Sequence, residues 1–348
     1  MFSHAGYRVL TQGAGWLQRV ERGRLRLTGA DRRSYLQGIL TNDITALTPG
    51  TGCYAAMLTP QGRMLADMRV LELGDALLID LDRSATPDIR ERFDRFIFSE
   101  DVVVADESDN LVQLGIYGPR AGSVLTEALS RLSSDDAARA AASALGRLGL
   151  FHNTNWRSER VSLVAAGSDD FGIEGFELFI ESGGADAVTR ALLAAGAVQV
   201  DQATADVCRI EAGRPLFGVD MDEHTIPLEA GIEDRAISLT KGCYVGQEII
   251  IRVLHRGHGR VARRLTGLLV DGAVPSRADR IRAGEREVGV VTSGAESPSL
   301  GRPIALGYVH REHTEPGVQL TIVHGDRTLA ATVATLPFVP RQAEPARP

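Results

Sequence analysis

A chain of 348 residues exceeds what one compact core usually holds, so two or three domains are expected. At 44% hydrophobic and 24% charged, with a net charge of -7, it has the makeup of an ordinary globular protein. That balance argues against a nucleic-acid coat or a polybasic membrane binder. No apolar run approaches the roughly 18 to 20 residues of a membrane span. The opening MFSHAGYRVLTQGAGW lacks the charged start and apolar stretch of a signal peptide, so a cytoplasmic location is expected.

In chain order, residues 24–29 alternate like a strand, and Asp31 is placed to cap a helix carrying Tyr35, Leu36 and Ile39. Residues 54–59 and 64–73 read as strands around Pro60-Gln61-Gly62, followed by a turn at Gly74-Asp75 and a strand at 76–80. Residues 87–99 read as a helix with Pro87 in its first turn. Strands follow at 102–104 and 111–117, and Pro119 opens a helix to about residue 132. The Ala-, Ser- and Asp-rich run 133–146 reads as a weak helix or a loop. Residues 160–165 and 176–180 form two strands about a turn, then helices are expected at 185–194, with Gly196 as terminator, and at 204–213. Short-turned strands with irregularly placed helices favour α+β layers over a doubly wound parallel sheet.

After about residue 259 the pattern changes. Strands are expected at 265–270, 286–292, 304–310, 319–323 and 328–333, with almost no helix between them, which suggests a small antiparallel barrel or sandwich. The Pro-, Ala- and charge-rich end, 341–348, reads as a disordered tail.

Cys53, Cys208 and Cys243 are odd in number and widely spaced, which suits reduced thiols. There is no Cys-x-x-Cys pair, and no metal site is expected. The His255/His258 and His310/His313 pairs lack a nearby cysteine and read as surface or hydrogen-bonded histidines. Cys243 lies in LTKGCYVGQEIIIRV. In an extended segment Lys241 and Cys243 project from one side, where the ammonium would stabilise the thiolate. Gly242 and Gly246 permit tight backbone or close approach of a ligand, and Gln247-Glu248 suit the first turn of a helix. The plain alternative is a buried small residue beside a surface charge. No histidine is adjacent, so a Cys–His catalytic pair is unsupported.

Lys241-Gly242-Cys243-Tyr244-Val245-Gly246-Gln247-Glu248 resembles the K-G-C-Y-x-G-Q-E signature of YgfZ-type folate-binding proteins at every specified position. That family is itself similar to the aminomethyltransferase T-protein of the glycine cleavage system. QGILTNDI (37–44), RIEAGRPLFG (209–218) and TIPLEAG (225–231) look like further family segments. The resemblance covers nearly all of residues 20–340. It implies an α+β fold: two intertwined domains within 1–258 around a central folate-sized cavity, then an antiparallel β-barrel at 259–340. It also implies tetrahydrofolate as cofactor and a role in assembling or repairing iron–sulfur clusters in client enzymes, including tRNA-modifying ones. Folate and those clients are the implied partners. Cys243 is then the key thiol and Lys241 the residue that tunes it, in an accessory factor more than a turnover enzyme. The alternative is folate-dependent aminomethyl transfer of the glycine-cleavage type.

The same resemblance suggests folate contacts. A carboxylate can pair with the donor edge of a pterin, and the ring stacks on aromatic surface. T-proteins carry a tyrosine before a Gly-x-x-x-Asp-Asp segment. Tyr54 and Gly62-Arg63-Met64-Leu65-Ala66-Asp67 lie in the matching region, with Ala66 in place of the first aspartate. That departure weakens the aminomethyl-transfer reading. Asp67 is a folate contact or a solvated strand residue, and Tyr54 a ligand platform or a packed aromatic. A second element, G-E-D-G-[FY]-E, appears as Gly172-Ile173-Glu174-Gly175-Phe176-Glu177. Glu177 is the candidate for the pterin edge or a surface carboxylate. Arg209 holds the glutamate tail of folate or pairs with Asp206 or Glu211. The basic run 252–260 meets that tail, meets a phosphate-bearing partner, or is a linker.

Overall fold

The computed structural model describes residues 2–256 and 260–340. Alternating leucines and arginines build its first wall. In the strand Arg22–Thr28, Leu25 and Leu27 are buried against Leu36 and Phe93, while Arg22 and Arg24 are buried too. Both faces of this strand are covered because the arginines point at a second sheet. The first sheet is antiparallel and runs Gly52–Leu58, Met64–Glu72, Leu77–Asp82, Arg22–Thr28, Val103–Asp106. Helices Arg32–Gln37 and Thr86–Phe96 cover its outer face, where the Tyr35 hydroxyl donates to the Phe93 carbonyl at 2.6 Å.

The second sheet runs Val198–Gln199, Gly15–Gln18, Leu111–Tyr117, Gly175–Glu181, Ser162–Ser168, Asn153–Arg157. Only the pairing of Gly15–Gln18 with Val198–Gln199 is parallel. Helices Ala121–Ser130, Asp136–Leu145 and Ala185–Ala194 lie on its outer face. The chain starts this sheet at Gly15, leaves to form the whole first sheet, and returns at Leu111. The two units are therefore intertwined, as the resemblance implied. Their inner faces stack through a small apolar cluster of Leu71, Leu78, Ala166 and Phe179 and a larger polar one.

The third unit is a closed six-stranded antiparallel barrel: Arg263–Val270, Arg302–His310, Arg286–Ser297, Arg280–Ala283, Gln319–His324, Arg327–Ala334. It docks on helix Gln202–Glu211, where Glu211 accepts from Ser297 Oγ at 2.5 Å and from the Tyr7 hydroxyl at 2.6 Å.

Of the two readings left open for residues 133–146, the helix is the one formed, as Asp136–Leu145, capped by the Asp135 side chain. Other expectations are corrected. Asp31 precedes its helix, but its carboxylate accepts from Asp101 N–H at 2.9 Å instead of capping. Four strands were not anticipated: Gly15–Gln18, Asn153–Arg157, Val198–Gln199 and Arg280–Ala283. Asn153–Arg157 is a polar edge strand with only Asn153 and Trp156 buried, and Arg280–Ala283 is four residues long with only Ile281 buried. Asn153–Arg157 and Arg280–Ala283 lack the alternation that marks a strand, and the other two are only four and two residues long. The expected tail, 341–348, and residues 257–259 of the basic run lie outside the described residues. No helix among those described is long and apolar enough to cross a membrane.

Candidate functional site

Between the two sheets, charged side chains face one another. Asp80 accepts from Arg22 Nε at 2.7 Å, from Arg69, and from Gln113 Nε2 at 3.1 Å. Glu177, across the gap, accepts from the same Gln113 amide at 2.8 Å, from Arg19 and from the Tyr117 hydroxyl. Asp170 receives Arg19 at 3.0 Å and Arg69 at 2.9 Å. Burial alone would raise the Asp170 carboxyl, but Arg69, Arg19 and Arg22 outweigh it and hold it well below the usual range.

This network surrounds a central cavity of about 70 Å³, lined among others by Arg19, Arg22, Tyr54, Asp67, Arg69 and Asp170. Asp67 differs from the other acids here. Its one hydrogen bond is from the Tyr54 hydroxyl, at 2.6 Å, and among the described residues no arginine reaches it within 4 Å. Burial pushes its carboxyl up, against the opposing pull of Arg22 and of the Tyr54 hydrogen bond. The Arg235 guanidinium lies over the Tyr54 ring, 5.3 Å from its centroid. Arg235 and Arg214 both donate to Asp169, at 2.8 and 2.6 Å. These two arginines and Pro215 also line an adjoining pocket of about 310 Å³ that reaches Leu336 and Val339. Its volume meets the low end of the ~300–1,000 Å³ usual for small-molecule sites.

The structure thus brings Tyr54, Asp67 and Arg209 to one cavity and leaves Glu177 behind its wall. Both Glu177 oxygens are engaged, and the residue is 1% exposed. Arg209 touches the cavity but is held by Asp206 at 2.5 Å, Asp220 at 2.6 Å and Ser293 at 3.0 Å. Of its two expected acidic partners, Asp206 is the one met. Ile173 packs against the cluster around Phe171 and Tyr117.

The signature loop lies apart from this cavity. Lys241 and Tyr244 are buried, while Gly242 and Cys243 between them are exposed. The Lys241 ammonium donates to the carbonyls of Gln37, Leu40 and Asn42 at 2.6, 2.5 and 3.0 Å. Tyr244 packs with Leu58, Met64 and Met221. Gly246 turns the chain at φ 85°, where an added Cβ would meet the Thr59 carbonyl oxygen at 2.5 Å. The short helix Gln247–Ile251 follows, with Glu248 exposed and paired to Arg252 at 2.6 Å. Lys241 therefore does not share a face with Cys243, because three backbone carbonyls claim its charge. The thiol that feels Lys241 is Cys53, which burial nonetheless pushes up to about 12. Burial lowers Lys241 itself to about 8, against the pull of Asp43.

Two family models match the chain. One, described as the GCVT N-terminal domain, covers residues 4–241. The other, described as the glycine cleavage T-protein C-terminal barrel domain, covers residues 263–340. The chain belongs to the glycine cleavage T-protein family. A family relative named aminomethyltransferase, from Saccharopolyspora erythraea, is 31% identical over 97% of this chain and 90% of its own length. Another of that name, from Rubrobacter xylanophilus, is 29% identical over 97% and 86%. The crystal structure of glycine cleavage system aminomethyltransferase T from Bartonella henselae superposes with a TM-score of 0.84 at 23% identity, over 96% of this chain and 89% of that one. At that identity the match speaks for the fold of this T-protein relative.

Sequence reasoning did not single out Arg19, Arg22, Arg69 or Asp170 as site residues. The available signal was the arginine spacing in RGRLRLT, where charge recurs on one face of a strand.

Proposed function

We propose that this chain binds a reduced folate, tetrahydrofolate or a derivative, in the central cavity and its adjoining pocket. Asp67 supports this reading best. It is a buried carboxyl with no ion-pair partner among the described residues, facing a cavity beside an aromatic ring and arginines. A carboxyl can accept from the paired donors of a pterin edge, and burial raises the pKa of this one. Tyr54 orients that carboxyl, and Arg214 and Arg235 offer cationic partners for the carboxylates of a folate tail. Folate, when bound, supplies a one-carbon carrier. The protein supplies position and, at Asp67, a buried carboxyl held by Tyr54.

The finer reading is a YgfZ-type factor that assists the assembly or repair of iron–sulfur clusters in client enzymes, including tRNA-modifying ones. The observation behind it is the loop from Lys241 to Glu248. Two buried anchors, Lys241 and Tyr244, hold an exposed thiol in front of solvent, where a protein partner can reach it. Lys241 then acts as a positioning residue for the loop and Cys243 as the contact. Ala66, at the place of a T-protein aspartate, also favours this reading. A second reading, aminomethyl transfer, is favoured by the names of the relatives and by the retained Asp67.

Calorimetric titration with tetrahydrofolate tests the folate reading. Binding by the wild type and by Cys243→Ala, with loss in Asp67→Asn, supports it; a wild type that does not bind overturns it. Cells lacking the chain separate the two finer readings. Loss of iron–sulfur enzyme activities that Cys243→Ala fails to restore supports the first. Purified chain that transfers an aminomethyl group to tetrahydrofolate, with or without Cys243, supports the second.

A further inference from the structure

The central cavity is small for the molecule it is proposed to take. Its 70 Å³ or so holds a few waters, whereas small-molecule sites usually offer ~300–1,000 Å³. The adjoining pocket of about 310 Å³ supplies the missing room, but Asp67 and Tyr54 line only the smaller compartment. Arg214, Pro215 and Arg235 line both. A ligand that reaches Asp67 from the larger pocket has to pass these three residues.

Arg235 is the one placed to move. Arg19, Arg22, Arg69 and Arg209 also line the cavity, but their side chains are at most 9% exposed, and each is held by a carboxylate at most 1% exposed. The Arg235 side chain is 30% exposed. Its Nη2 donates to Asp169 Oδ1 at 2.8 Å, while its guanidinium covers the Tyr54 ring. Arg214 donates to the other oxygen, Asp169 Oδ2, at 2.6 Å. Asp169 therefore keeps a cationic partner when Arg235 swings out, and no buried carboxylate is stranded. The same swing uncovers the Tyr54 ring, whose hydroxyl holds Asp67.

Resting on the folate reading, we propose that Arg235 is a gate that favours pterins bearing a carboxylate tail over those without one. Engaged with Asp169 and Tyr54, it closes the boundary between the two compartments. A ligand carboxylate in the larger pocket offers Arg235 a replacement for the Asp169 oxygen. Exchanging one partly exposed ion pair for another costs little, and it opens the way to Asp67. A pterin without a tail offers no exchange. It has to break the ion pair and the cation–π contact unaided.

Stopped-flow and calorimetric titration of the full chain with tetrahydrofolate, and with 6-methyltetrahydropterin as a pterin lacking the tail, test the gate. The wild type should prefer tetrahydrofolate, and its observed binding rate should level off as ligand concentration rises. In Arg235→Ala the tail-less pterin should bind about tenfold tighter than in the wild type, the worth of one charge-assisted hydrogen bond, and the levelling should vanish. Asp169→Asn, which loosens the pair and keeps the arginine, should speed tetrahydrofolate binding and retain the preference. A tail-less pterin bound no tighter by Arg235→Ala than by the wild type overturns the gate; if tetrahydrofolate still binds, the folate reading stands. Should Arg235→Ala fail to fold, Asp169→Asn decides, since an unchanged tetrahydrofolate rate there also overturns the gate. A wild type that binds no tetrahydrofolate overturns both.

Discussion

Lys241 Nζ lies 2.5 Å from the carbonyl oxygen of Leu40, 201 residues earlier in the chain. The contact joins two segments that sequence reading singled out separately, QGILTNDI and the cysteine signature. The helix Arg32–Gln37 ends in carbonyls that need donors, and a cation at that end also suits its dipole. The lysine is thus a bolt for the loop that displays Cys243. Replacing it with methionine would leave three acceptors short of a donor. We expect Lys241→Met to lower stability by about 2–4 kcal/mol in urea unfolding. The alkylation rate of Cys243 in the folded variant should stay as in the wild type; a large drop would restore the lysine to a thiol-tuning role.

Thiol chemistry should distinguish the three cysteines. Cys243 is exposed, whereas burial raises Cys53 to about 12 and raises Cys208 further. Native chain treated with iodoacetamide at pH 8 should take up one label, on Cys243, by peptide mass mapping. Labelling of Cys53 at a similar rate would contradict its environment.

Asp67 gives a pH signature. Its folded pKa is raised above the unfolded value of about 3.9, so the native state holds a proton longer than the unfolded one. Stability attributable to this group is therefore complete below about pH 4 and falls as pH rises toward the folded pKa. Asp67→Asn should match the wild type in acid and exceed it at neutral pH, by on the order of 1 kcal/mol. Melting curves across that range check the sign.

Glu177 is a structural residue in this geometry. Glu177→Ala would leave Arg19 and Gln113 buried beside a hole, an effect of about 3–5 kcal/mol. Calorimetric unfolding should show that loss before any ligand is added. Glu177→Gln should recover part of it, because the amide oxygen can still accept from Arg19.

Gly246→Ala should unseat the signature loop. The backbone there is left-handed, and the new methyl would press on the Thr59 carbonyl. A cost of about 1–2 kcal/mol from φ alone is expected, and more from the clash. Faster proteolysis near Gly246 would report it.

How much of this was legible beforehand varies by element. The helix Ala185–Ala194 is read correctly from periodicity, since it buries one apolar face, and the strand Leu111–Tyr117 from its apolar run, since both its faces are covered. The strand Asn153–Arg157 is invisible to that reasoning, because it sits at a sheet edge and buries little. The arginines of RGRLRLT look like a solvated face until a second sheet covers them.

Local chemistry, then, was enough for most element types, the all-β C-terminal unit and the family signature, because hydrophobic spacing and glycine turns act between near neighbours in sequence. Helical neighbours such as Asp206 and Arg209 pair as expected, but only the tertiary structure decided what the charges between the sheets and in the signature loop meet. An ammonium or carboxylate takes the nearest compensating partner in space, and for Lys241, Glu177 and Arg19 that partner lies more than 60 residues away. Coulomb and hydrogen-bond energies depend on distance and burial, which no local pattern encodes.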